Sequence, residues 1–181
     1  MPFPTLLAAE QSALMLIDFQ ERLVPAIDGG QAVVAQAQRL AQAARLLGVP
    51  VLATEQLPHR LGPTVAPLRD LPLAVIPKAE FDACRAANVR SALPPDRATI
   101  VLTGCEAHVC VLQTAFGLLE AGYRVAVARD AAGSRRPESK EAAVARLTQA
   151  AADIVTAEMV IFEWLGTANR PEFREVLPLI K

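Results

Sequence analysis

The sequence has almost no net charge and no basic cluster: its 181 residues carry 18 Lys and Arg against 19 Asp and Glu, a formal balance of −1. A nucleic-acid binder takes its affinity from Lys and Arg that neutralise phosphates, so that class is set aside. Long apolar runs are missing too. The stretches 13–17 and 98–102 fall far short of the roughly 20 residues that a membrane-spanning helix requires, and no membrane partner is expected. The N-terminal MPFPTLLAAEQSALMLID has no Lys or Arg ahead of its apolar part and runs straight into a core-like strand, unlike a cleavable leader, so a cytoplasmic location is expected. Cysteine is scarce: Cys84, Cys105 and Cys110 form an odd set without C-x-x-C spacing, which predicts free thiols in a reducing compartment. No G-x-G-x-x-G follows the first apolar run, which makes nucleotide binding the weakest reading.

What the chain does have is apolar content, 52% of its residues. A chain of this length buries about 70% of its unfolded surface without disulfide or metal staples, so one self-sufficient domain over 1–181 is expected. Short β-rich runs alternate with Ala- and Leu-rich helical stretches, the pattern of parallel strands with helices on both faces. Strands are predicted at 13–17, 51–54, 73–76, 99–103, 123–128 and 153–156. Helices are predicted at 30–47, 80–92, 108–121 and 137–151, with a short piece at 66–70, a loop from Asp130 and a C-terminal helical portion containing Trp164 and Phe173. Gly48 and Pro50 end the first helix, and Gly122 ends the third. The fold class is a three-layer α/β/α, Rossmann-like sandwich around a six-stranded parallel sheet. The run at 99–103, the most apolar and β-branched, is expected at its centre.

Ligands of open parallel sheets bind beyond the carboxyl ends of the strands, where the strand order reverses. The polar residues at those ends are Asp18, Glu55 and Gln56, Lys78, and the segment 104–110. Cys110, near the start of a helix, is placed where unpaired N–H groups favour a thiolate; a buried cysteine can equally be a small hydrophobe. Lys78 would lower the thiol pKa and Asp18 could shuttle its proton, although alone each reads as a solvated lysine or a turn former.

MLIDFQERL, VLATEQLPHRLGPTV, VIPKAEFDAC and TIVLTGCEAHVCVLQTAFGLLEAGYRVAVARDAAGS together resemble the isochorismatase-like cysteine hydrolase superfamily over nearly the whole chain. The T-E-Q-x-P-x-x-L-G segment, the G-C-E-A-x-x-C block and the late AEMVIFEWLGTANRPEFREVLPLIK are most similar to its isochorismatase domain-containing branch. The resemblance implies Cys110 as nucleophile, Asp18 as general base and acid, and Lys78 as the cation that lowers the thiol pKa. It also implies a cis peptide between Cys105 and Glu106, and an oxyanion hole from the backbone N–H groups of Glu106 and Cys110. The activity implied is hydrolysis of a small amide or carbamoyl compound through a thioester on Cys110. A vinyl-ether hydrolase of the isochorismate type is less expected.

Nicotinamidases of the superfamily hold a metal with an Asp-x-His and a second His after the second strand. Here that stretch, TEQLPHRLGPT, offers His59 alone, so no metal is expected, and no organic cofactor. Phe19, Gln20, Gln56 and His108 are expected to bind substrate, with Phe19 alternatively filling the core and Glu55 alternatively solvated. Cys84 and Cys105 are expected to pack rather than act. The rivals from other classes are a non-catalytic binding or scaffolding module on the same fold, and a thiol redox protein pairing Cys105 with Cys110. A homo-oligomer, dimer or tetramer, is expected, with the segment around Trp164 and Phe173 suited to packing on the domain or at an interface.

Overall fold

The computed structural model describes residues 6–180; the first five residues of the N-terminal segment discussed above, and Lys181, lie outside it. Six parallel strands form one sheet: β1 (Ser12–Ile17), β2 (Val51–Gln56), β3 (Ala74–Lys78), β4 (Thr99–Cys105), β5 (Arg124–Gly133) and β6 (Asp153–Val155), in the order β3-β2-β1-β4-β5-β6. The helices are α1 (Gly30–Leu46), α2 (Pro58–Leu61), α3 (Ala66–Arg69), α4 (Ala87–Ala92), α5 (Leu112–Glu120), α6 (Pro137–Gln149), α7 (Ala157–Leu165) and α8 (Phe173–Val176). Among the described residues, no helix is long and apolar enough to cross a membrane.

Strand period 2 sorts the core into two layers. Along β1, Leu14 and Leu16 enter the cluster with Val33, Ala37 and Leu40 of α1 and Trp164 of α7. Ala13, Met15 and Ile17 point to the opposite face, into a cluster with Val89 of α4, Leu112 and Leu118 of α5 and Leu147 of α6. Every residue of β1 and β4 is buried, as central strands of a doubly covered sheet require. Trp164 is 1% exposed inside its own core, so it is not free to form an interface.

Four local expectations change. β3 runs on through Pro77 to Lys78, tolerable because β3 is an edge strand where a missing N–H costs no ladder bond. β5 does not end at Ala128: Leu102 pairs with Val127 and Gly104 with Ala132, so two steps of β4 are matched by five of β5, and Asp130 lies in a bulged strand rather than a loop. The helix expected at 80–92 is a 3₁₀ turn, Ala83–Arg85, followed by α4. The helix expected from His108 begins instead with a π-helical turn, Ala107–Val111.

Gly104 fixes how closely β4 ends against β1. It pairs with Ile17 and has φ +148°. A Cβ there would run into the Ile17 carbonyl oxygen and stand 2.5 Å from the Ile17 Cβ. Gly104→Ala is therefore expected to cost about 3 kcal/mol by overpacking, read as a lower urea midpoint at unchanged slope. An unshifted midpoint would show that the two strand ends can separate freely.

Candidate active site

The strand order reverses between β1 and β4, and the candidate residues gather there. Asp18 follows β1 directly and leaves it with φ 53°, a left-handed conformation that Asp adopts more readily than most residues. The turn aims its carboxylate across the strand ends. Its Oδ1 accepts from the Thr54 hydroxyl at 2.7 Å, and its Oδ2 accepts from Lys78 Nζ at 2.7 Å. Both side chains of this ion pair are 0% exposed. Lys78 Nζ also donates to Gln56 Oε1 at 2.7 Å and to the Glu80 carbonyl at 3.2 Å, so all three ammonium hydrogens have acceptors.

Cys110 lies in the π-helical turn rather than in the first turn of an α-helix, and is 5% exposed. Its thiol hydrogen-bonds with the Asp18 carboxylate, and the Glu106 backbone N–H faces the sulfur. Burial pushes the thiol up to about 12, and the Asp18 charge and hydrogen bond push the same way. Lys78 and the Glu106 N–H pull it down without offsetting them. Lys78 therefore acts in the expected direction, but the thiol is held protonated, because a buried sulfur beside a carboxylate ionises at greater cost than one lysine compensates. A neutral thiol bonded to a carboxylate can attack a carbonyl as its proton passes to that carboxylate.

The peptide between Cys105 and Glu106 is cis. Cys84, Cys105 and Cys110 are free thiols; burial raises Cys84 to about 12 and pushes Cys105 up as well. Among the described residues, no group of three or more His, Cys, Asp or Glu side chains is arranged to hold a metal ion.

The structure separates the four residues expected at the substrate. Phe19 is 1% exposed and packs in the core. Gln20 is fully buried and its amide is spent on backbone: Nε2 donates to the carbonyls of Gln56 and Gly62 at 3.1 and 2.7 Å, and Oε1 accepts from the Gln56 N–H at 2.8 Å. Gln56 is also committed, since its Oε1 accepts from Lys78 and its Nε2 donates to the Ala79 carbonyl at 2.6 Å. Gln56 thus holds Lys78, while Gln20 pins the backbone at Gln56 and Gly62. Glu55 is occupied by Thr64, whose N–H and hydroxyl donate to it at 2.6 and 2.8 Å.

His108 is different. Its side chain is 28% exposed and lines a cavity of about 480 Å³ with Arg135, Arg136 and Ser139. Its Nδ1 lies 2.9 Å from Ser134 Oγ and 3.4 Å from Glu106 Oε2. Both neighbours meet the same ring nitrogen, so this is not an acid–His–Ser relay, which needs one partner on each nitrogen. Sequence reasoning missed Thr54, Ser134 and Arg135. Thr54 carried a usable signal, a hydroxyl on a buried strand that pairs beside Ile17.

A doubly wound parallel sheet with an acid, an ammonium and a thiol gathered at its switch point places the protein in the α/β class. The isochorismatase domain matches residues 12–159, and the chain belongs to the isochorismatase family of hydrolases. Isochorismatase domain-containing protein 2 of Bos taurus is 38% identical over 170 residues, covering 94% of this chain and 83% of the relative. Among solved structures, one described as the MAR1 ribonuclease of Caenorhabditis elegans superposes with a TM-score of 0.92 at 35% identity, covering 97% of this chain and 92% of that one. The YcaC gene product of Escherichia coli, described as an octameric hydrolase of unknown specificity, shares the fold with a TM-score of 0.85 at 20% identity, covering 98% and 97%.

Proposed function

We propose that the chain is a cysteine hydrolase of a small molecule, acting on an amide or carbamoyl C–N bond, with Asp18, Lys78 and Cys110 as its catalytic residues. The buried Asp18–Lys78 pair carrying the Cys110 thiol on its carboxylate supports this reading. The thiol attacks the carbonyl carbon while Asp18 takes its proton. The tetrahedral oxyanion is received by the backbone N–H groups of Glu106 and Cys110. Asp18 then returns the proton to the departing amine, leaving a thioester on Cys110. A water deprotonated by Asp18 hydrolyses that thioester and frees the acid and the thiol. Lys78 orients the carboxylate through its hydrogen bond to Oδ2. A homo-oligomer belongs to the same reading, as the E. coli neighbour is octameric.

The name of the C. elegans neighbour makes RNA the second substrate to test. A thiol 5% exposed, in a chain of net charge −1, favours a small molecule. The test is a screen of amides, ureido compounds and a short RNA against wild type and Cys110→Ala, with intact-mass detection of the acyl-enzyme. Turnover of an amide with a thioester adduct, both absent in Cys110→Ala, is expected. RNA cleavage that survives Cys110→Ala would overturn the assignment.

A further inference from the structure

Glu106 has two ends with separate partners. Its backbone closes the turn that carries the thiol: the N–H faces the Cys110 sulfur, and the carbonyl accepts from the N–H groups of Val109 and Val111 at 3.1 and 3.2 Å. Its side chain leaves that turn and grips the chain beyond β5. The carboxylate accepts from the Arg135 N–H at 3.1 Å, pairs with Arg135 Nε, and faces His108 Nδ1 at 3.4 Å. Cys105 is aligned with Gly133, so this grip extends the junction of β4 and β5 past their last paired residues.

A carboxylate that is buried and takes no part in proton transfer has another reason to be held so firmly. Glu106 is the single residue between the end of β4 and the π-helical turn Ala107–Val111, so a shift of its backbone moves its N–H relative to the sulfur four positions on. Glu106 reaches the Cys110 thiol through that N–H, which pulls it down, whereas the charge of its carboxylate falls on Cys105, which it pushes up. Its hold on the catalytic sulfur is therefore geometric.

We infer that Arg135 is a positioning residue: through the Glu106 carboxylate it fixes the Glu106 backbone N–H against the Cys110 sulfur, and with it a donor that receives the oxyanion. The inference rests on the cysteine-hydrolase reading and adds to it a residue that acts only through another. Arg135 suits the task because its own N–H and its guanidinium both meet one carboxylate, which ties the position of the Glu106 side chain to the backbone after β5.

The test is the rate of iodoacetamide alkylation at Cys110, followed by mass spectrometry as a function of pH, with Cys84, whose thiol is also raised to about 12, as the internal control. Arg135→Gln is expected to slow Cys110 about fivefold at pH 9, the size of an ion pair with one mostly exposed partner, to move its inflection to higher pH, and to leave Cys84 unchanged. Arg135→Lys restores most of the rate. Glu106→Gln separates the clamp from a field effect. Acting through space, loss of a cation and loss of an anion have opposite signs, so Glu106→Gln would speed the reaction; loss of the clamp slows it in both variants. The double variant Arg135→Gln/Glu106→Gln is expected to be no slower than either single one, as two halves of one contact require. Faster alkylation in Glu106→Gln, or an unchanged rate in Arg135→Gln, overturns the positioning role while the nucleophile stands. Acceleration of Cys110 and Cys84 together in Arg135→Gln is general loosening of the fold and overturns it as well. Absence of an acyl-enzyme on wild-type Cys110 in the amide screen removes the hydrolase reading itself, and the positioning role with it.

Discussion

Asp18→Asn is expected to lower amide hydrolysis by about 10²- to 10⁴-fold, the range associated with loss of a positioned acid–base group, while making Cys110 easier to alkylate. The two effects have opposite signs because Asp18 does two things to the sulfur. As a base it takes the thiol proton during attack, and as a buried anion it discourages the thiolate when no substrate is present. Its charge and hydrogen bond are two of the causes that raise the thiol to about 12, whereas Lys78 and the Glu106 N–H pull the other way. Asn keeps the size of the side chain and removes the charge, so Lys78 and the Glu106 N–H act on the sulfur with less opposition. In wild type the iodoacetamide rate at Cys110 should climb about tenfold per pH unit through pH 11, as expected for a thiol ionising near 12. In the variant the inflection moves to lower pH, and the rate at pH 9 exceeds that of wild type. A lower or unchanged rate at pH 9 would show that Asp18 does not hold the proton on Cys110.

Lys78→Met is expected to be among the most destabilising single changes in the molecule, at about 3–5 kcal/mol, because it leaves a carboxylate buried without its counter-ion. Lys78 satisfies the Asp18 carboxylate, the Gln56 amide oxygen and the Glu80 carbonyl together, and Met satisfies none of them. The double variant Asp18→Asn/Lys78→Met removes both charges and should recover part of the loss, since an ion pair replaced by neutral groups of similar volume often costs little. Urea unfolding of the two single variants and the double variant measures this coupling. A cost below about 1 kcal/mol for Lys78→Met is the signature of a solvent-exposed pair, and would contradict the sealed site. Lys78→Arg is not expected to rescue, because a planar guanidinium cannot place donors on three separate acceptors as an ammonium does.

The residues that meet at the switch point were legible because each ends a strand, and strand ends can be read from apolar runs. Asp18 follows SALMLI, Lys78 closes AVIPK, and Cys110 follows TIVLTGC by a short turn. The alternation of the six strands with helices could be read from periodicity alone. The work of the two glutamines could not. A side-chain amide has the same composition whether it meets a ligand or a backbone carbonyl, and only the return of the loop after β2 puts Gly62 within reach of Gln20. Phe19 was ambiguous for a related reason, as an aromatic residue after a strand can turn inward or toward a pocket. The continuation of β5 past Asp130 was hidden because a bulge breaks the period-2 pattern by which a strand is recognised. The π-helical turn around Cys110 was hidden too, since AHVCV carries no residue that separates i+5 from i+4 bonding.

The pairing of β1 with β4 has a consequence for synthesis. Ser12 aligns with Thr99, 87 positions later in the chain, so a fully buried central strand waits for one of its two partners while β2 and β3 are made. At about 5–20 residues per second on the ribosome, that wait is roughly 4–17 s. Throughout it, the β4-facing edge of SALMLI is open to any other extended chain. The nascent half that carries Asp18 and Lys78 is therefore exposed along that edge until β4 leaves the exit tunnel, covers it, and brings the thiol-bearing turn close behind.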